Sequence, residues 1–236
     1  MAVKKWNIGY PDKDFAKKAA EICEADPFAA LIAGTRNIKD LSELEIFLSD
    51  EPVFSDPNLL SDIKKAAEII KEAVSEGKKI AVFGDYDCDG VASTALMFEY
   101  LKSKNADVIT YIPDRISEGY GMNKQAVDIL KNKGVELIIT VDNGISAFDE
   151  IAYANSLGLK TVVTDHHIPP EVLPEAEAVV DPHRADDISD FKDICGAMVA
   201  FKLVCVIEEK EPEQLLNMYS DLVAMATVGD VMPLVN

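Results

Sequence analysis

Between residues 78 and 184 the chain alternates short apolar runs with amphipathic stretches. KKIAVFGDYD, DVITYIP, VELIITVDNG, LKTVVTDHH and AEAVVDPHR each centre on a few Val, Ile or Ala residues bounded by Gly, Pro or Asp, and they predict five strands. VASTALMFEYLKSK, NKQAVDILKNKG and AFDEIAYANSLG fall between the runs and carry helical spacing. Runs this apolar are buried on both faces, so the alternation predicts a doubly wound, mostly parallel five-stranded α/β sheet with flanking helices. Two further helices are expected after Gly196, in GAMVAFKLVCVIEEK and EPEQLLNMYSDLVAMATVG.

Upstream the rhythm differs. DFAKKAAEICEA and LSELEIFLSD have helical spacing and are separated by PFAALIAGTRNIKD, read as irregular. Residues 1–60 are therefore expected to be a helical N-terminal extension packed on the core, with the main domain over 61–236. That domain opens with a helix in LLSDIKKAAEIIKEAVSEGK, started near Ser61 or Asp62 and ended near Gly77.

In open α/β sheets ligands bind at the carboxyl ends of the strands, and the polar residues of this chain collect there. The first strand ends in GDYDCDG, with Asp85, Asp87 and Asp89. The third ends in Asp142 and Asn143, the fourth in Asp165, His166 and His167, and the fifth in Asp181 and His183. Carboxylates and imidazoles without grouped thiols favour Mn²⁺ or Mg²⁺, and several carboxylates with a His could hold two such ions. D-x-D-x-D-G also opens a calcium loop, but the twelfth position counted from Asp85 is Leu96, where a bidentate Glu is needed, and a strand rather than a helix precedes it. A solvated acidic turn explains GDYDCDG alone; it does not explain DNG and DHH beside it. Cys88 reads as a small packed residue rather than a ligand.

Arg115 and Arg184 both follow predicted strands. Each is a candidate clamp for a phosphate, and Arg184 equally a candidate for bridging carboxylates. Gly119, Tyr120 and Gly121 predict a flexible turn that brings backbone N–H groups close to a ligand. Asp181 and His183 read as support for the ligands or as a phosphate contact.

Composition narrows the class. With 48% hydrophobic residues the chain of 236 can bury a substantial core, yet no apolar run approaches a membrane span and MAVKKWNIGY is no signal peptide. Its four cysteines form no C-x-x-C pair, which points to a reduced, cytoplasmic setting. A net charge of −19, from 42 acidic and 23 basic residues, argues against a broad nucleic-acid-binding face but not against a local groove or a metal centre.

VFGDYDCDGVAST, PDRISEGYG, LIITVDNGIS, TDHHIPP, AVVDPHR, GAMVAFKL and DLVAMATVGDVMPL, in that order, resemble the DHH phosphoesterase superfamily. The nearest branch is the RecJ-like 5′→3′ exonucleases specific for single-stranded DNA, and the similarity extends upstream through KKW, LIAGTRNI and EIFLSD. The resemblance implies a hydrolase using two Mn²⁺ (or Mg²⁺) ions to activate water. It implies Asp87, Asp89, Asp142, His166 and Asp230 as metal ligands, with Asp142 bridging, and leaves Asp85 least defined. Some members place a His four residues before the first ligating Asp, where this chain has Phe83. His167, Asp165 and Arg115 are implied as catalytic. Arg115, Gly119, Tyr120, Gly121, Asn143, His183, Arg184, Gly196 and Ala197 are the expected substrate contacts. Single-stranded DNA is the expected substrate, with repair proteins such as single-strand-binding protein or a helicase as candidate partners and no membrane. The resemblance also implies downstream DHHA1 and OB-type domains, which this chain does not contain. Within the same chemistry, short oligonucleotides, cyclic dinucleotides or pyrophosphate are alternative substrates; from another class, the chain would be a non-catalytic scaffold module.

Overall fold

The computed structural model describes residues 10, 12–36, 38–49, 54–119 and 121–234, so KKW and Tyr120 lie outside the described residues. The chain falls into two compact units, residues 1–53 with 234–236 and residues 54–233.

In the first unit, α1 (Lys13–Ile22), α2 (Pro27–Thr35) and α3 (Leu41–Leu48) close on a small core of Ala16, Ala19, Ala30, Ala33, Ile38 and Leu44. Each helix starts at an aspartate, Asp12, Asp26 or Asp40, whose Oδ1 accepts two first-turn N–H groups. PFAALIAGT, expected to be irregular, is a helix. Asp26 followed by Pro27 is a strong start signal, and a segment apolar nearly all round shows no periodicity to read.

The second unit is built on β1 (Ile80–Phe83), β2 (Val108–Tyr111), β3 (Leu137–Val141), β4 (Lys160–Thr164) and β5 (Ala178–Val180). These form one sheet in the order β2-β1-β3-β4-β5, every pair parallel, as the apolar runs predict. Alternate residues serve opposite faces. Ile80, Val82, Ile139, Val141 and Val162 pack under α4 (Ile63–Ser75), α5 (Cys88–Ser103), α8 (Gly196–Glu208) and α9 (Pro212–Gly229). Ala81, Phe83, Ile138 and Val163 pack under α6 (Lys124–Asn132) and α7 (Phe148–Ser156). The strand order reverses direction between β1 and β3, so their carboxyl ends border the crevice where such folds bind ligands.

Two local details set the site. α5 begins at Cys88, three residues before the predicted VAST, because the Asp87 carboxylate caps it by accepting from Gly90 N at 2.9 Å. Asp89 therefore sits in the first helical turn rather than in a loop. β1 enters the loop and Leu96 is fully buried in the core, which removes the calcium-loop reading.

Candidate metal centre

Asp142 follows β3 in the left-handed region, φ 60°, a conformation that Asp tolerates better than most residues and that is enriched at functional sites. Its side chain is buried, and its Oδ1 lies 3.1 Å from His166 Nε2. The same nitrogen lies 3.6 Å from Asp89 Oδ2 and 3.6 Å from Asp230 Oδ2. Four elements thus converge on one point: the start of α5, the end of β3, the end of β4 and the cap of α9. Two overlapping groups have cation-binding spacing, Asp89 with His166 and Asp230, and Asp142 with His166 and His167. A ring nitrogen has one lone pair and serves one cation, whereas a carboxylate has two oxygens. A carboxylate of the cluster, Asp142 among them, can therefore offer one oxygen to each of two ions.

The donor set fits divalent cations on its own geometry. His166 Nε2, Asp142 Oδ1 and both carboxylate oxygens of Asp85 are buried and make no hydrogen bond. Leaving such groups unpaired is costly, and a cation bound between His166 Nε2 and Asp142 Oδ1, 3.1 Å apart, would satisfy both. Burial, reinforced by the charges of Asp89, Asp87 and Asp165, pushes the Asp142 carboxyl up to about 10. Burial also raises Asp85, and raises Asp89 against the pull of its N–H donors. An ion would reverse that local field.

Other contacts hold the ligands in place. Asp89 accepts from Ser93 Oγ at 3.1 Å, Ala197 N at 2.8 Å and Gly196 N at 2.6 Å, so the N-terminus of α8 fixes it. Gly196 is required there, because a Cβ would stand 2.6 Å from Asp142 Cβ. Asp165 is buried and accepts from His166 N, Ile145 N and His167 Nδ1, the last at 2.7 Å. Burial opposes its charge, but His167 and these N–H groups outweigh burial and hold Asp165 below the usual carboxylate range. In return Asp165 raises His167 to about 9 against burial.

Gly121, Asn143, Asp165 and His167 line a cavity of about 230 Å³ beside the centre. Asn143 is buried, its Nδ2 donating to Phe83 O and Val141 O. Arg115 is exposed on the loop after β2, its guanidinium 5.2 Å from the centre of the Tyr86 ring. Gly119 and Gly121 take positive φ, 84° and 73°, which favours glycine at both positions. Phe83 is buried against Tyr111, ring centres 5.2 Å apart, and contributes no ligand. Asp87 caps α5 at the exposed rim.

Three expectations change. Arg184 is not a phosphate clamp: it is buried, with Nη1 on Asp62 Oδ2 and Val179 O, and Nε and Nη2 on Asp186. Its donors are spent tying the β5 turn to the start of α4. Gly196 and Ala197 meet the Asp89 carboxylate through their N–H groups, so they act on a ligand rather than directly on substrate. His183 lies 3.9 Å from Asp181 Oδ1 and 3.8 Å from Asp193 Oδ1, beyond hydrogen-bond reach. Asp181, raised to about 7 by burial, accepts instead from His183 N.

The model of the DHH family, N-terminal domain, matches residues 79–227, the span that holds this sheet and most of these ligands. The chain belongs to the DHH family. This DHH chain is 40% identical over 231 residues to the single-stranded-DNA-specific exonuclease RecJ of Bacillus subtilis, covering 98% of the chain and 29% of that relative. It is 36% identical over 223 residues to the Escherichia coli RecJ, covering 89% of the chain and 38% of the relative. It superposes on RecJ from Thermus thermophilus in complex with Mn²⁺ with a TM-score of 0.74 at 30% identity, covering 96% of this chain and 32% of that one. An exonuclease RecJ bound to manganese gives 0.67 at 35% identity, covering 78% and 46%. The chain thus spans about a third of the length of these curated relatives.

Within the DHH domain, sequence reasoning passed over Ser93 and Tyr86. Ser93 lies four residues after Asp89, a spacing that is visible once α5 is started at Cys88. Tyr86 had no signal beyond its place between two aspartates.

Proposed function

We propose that this DHH chain is the catalytic domain of a metal-dependent phosphodiesterase that removes nucleotides from the 5′ end of single-stranded DNA. The observation that carries the reading is His166 Nε2, buried without a hydrogen bond and ringed by three carboxylates at 3.1 to 3.6 Å. The RecJ names of the relatives, and the Mn²⁺ in their structures, support the substrate and the ion.

Asp89, His166 and Asp230 would hold one cation. Asp142 would extend its second oxygen toward another, with Asp85, Asp87 and His167 near it. Two Mn²⁺ or Mg²⁺ ions bound there would acidify a water and neutralise charge on the phosphoryl oxygens. The residues do the rest. Asp165 fixes the His167 ring through Nδ1, so any proton that His167 exchanges with substrate passes through Nε2. Arg115 holds a phosphate at the rim, with the cavity lined by Gly121 and Asn143 accepting the neighbouring nucleotide. With a net charge of −19, DNA is gripped at this centre rather than across a broad basic face. The setting is the cytoplasm, with single-strand-binding protein or a helicase as partners. The cysteines among the described residues are free thiols, and none of the described helices is long and apolar enough to cross a membrane.

The test is hydrolysis of 5′-labelled single-stranded DNA, dinucleotides and pyrophosphate with Mn²⁺. Stepwise release of 5′ nucleotides supports the proposal. Rapid pyrophosphate turnover without nuclease product replaces it with a small-substrate phosphoesterase, and absence of Mn²⁺ binding with it replaces it with a scaffold.

A further inference from the structure

Gly229 is the last residue of α9, immediately before Asp230. Its φ is not positive, so nothing in its own backbone calls for glycine. The conformation that does favour glycine falls two residues later. Val231 has φ 55° and Met232 N donates to Thr227 O at 3.0 Å, the closing bond of a left-handed helix end. Glycine thus stands where the dihedrals do not need it, and a β-branched residue stands where they do.

Packing explains the exchange. A Cβ on Gly229 would lie 2.6 Å from Cys88 Sγ and 2.7 Å from Cys88 Cβ. The second contact cannot be relieved by turning the thiol, because Cβ is fixed to the backbone of α5. Cys88 sits between Asp87 and Asp89 at the first turn of that helix, and its Sγ also approaches Met225 O at 3.7 Å. The bare backbone at Gly229 therefore lets the end of α9 close onto the start of α5. That closure sets Asp230 Oδ2 3.6 Å from His166 Nε2, matching the 3.6 Å of Asp89 Oδ2, which α8 fixes.

We propose that the Cys88–Gly229 contact is the positioning element for one cation only, the one held by Asp89, His166 and Asp230. Asp142 and His167 reach their positions from β3 and β4 and do not depend on α9. The inference rests on the proposed two-cation centre. Substituting Gly229 by alanine parts the two helices and moves Asp230 away, and removing the Cys88 side chain restores room for the alanine.

The test is Mn²⁺ titration of the full chain by calorimetry, with circular dichroism as a check on folding. Wild type is expected to bind two ions. Gly229→Ala is expected to lose one, or to bind it at least tenfold more weakly, and to match Asp230→Asn. Cys88→Gly/Gly229→Ala is expected to recover the second ion, whereas Cys88→Ala/Gly229→Ala is not, because it keeps the Cβ. Two ions bound by Gly229→Ala with wild-type affinity would overturn the inference, as would a folded Cys88→Gly/Gly229→Ala no better than Gly229→Ala. Wild type binding no Mn²⁺ would overturn the proposed function, and this inference with it.

Discussion

His166 Nε2 lies 3.1 Å from Asp142 Oδ1, both atoms buried, without a hydrogen bond between them. An imidazole nitrogen left unpaired beside a carboxyl that burial raises to about 10 suits a bound cation. The pH dependence follows with a definite sign. A carboxyl whose folded value lies above its unfolded one costs the fold progressively more as pH climbs from about 4 toward 10. His167, raised to about 9, adds stability below its unfolded value near 6.5 that is lost as pH rises through 9. The two act together, so metal-free protein should melt at lower temperature at pH 9 than at pH 6.5. Asp142→Asn should flatten that slope. Mn²⁺ should abolish it in wild type and release protons on binding, read by calorimetry in buffers of different ionisation enthalpy.

The Asp165–His167 pair gives a separate expectation. Asp165→Asn removes the charge that raises His167, so the imidazole should titrate well below 9, as followed by its proton NMR signal. It also leaves one of the clustered N–H donors without its anionic acceptor, costing about 1–3 kcal/mol in urea unfolding. His167→Gln should cost less stability and lose the alkaline limb of the activity profile.

Arg115 and Arg184 should behave oppositely. Arg115 is exposed on a loop, so Arg115→Ala should leave stability within about 0.5 kcal/mol and raise KM for DNA about tenfold or more. Arg184→Met strands Val179 O and frees two partly exposed carboxylates, for a loss of about 1–3 kcal/mol. Its KM should stay at the wild-type value.

Gly196→Ala should injure both ligands that α8 touches. Its Cβ would stand 2.6 Å from Asp142 Cβ, and its N–H carries the 2.6 Å bond to Asp89. Overpacking of this kind costs about 1–3 kcal/mol, and Mn²⁺ affinity should fall with it.

Much of this was legible beforehand because parallel strands buried on both faces spell themselves out. IAVF, LIITV and KTVVT each announce a strand, and the carboxyl-end rule collects Asp85, Asp142 and His166 from the sequence. Asp230 was not legible that way; only the similarity of GDVMP to a family motif singled it out. Arg184 shows the limit from the other side. Its neighbourhood in DPHR suggests a ligand contact, but its partner Asp62 lies 122 residues away, and no local pattern encodes that pairing. The same holds for Gly229, whose meaning depends on Cys88 in another helix.

Anomalous diffraction from crystals grown with Mn²⁺ addresses the centre most directly. Two peaks roughly 3.5–4 Å apart are expected, one against Asp89, His166 and Asp230, with Asp142 between it and the other. A single peak, or peaks remote from His166, would contradict the two-cation centre.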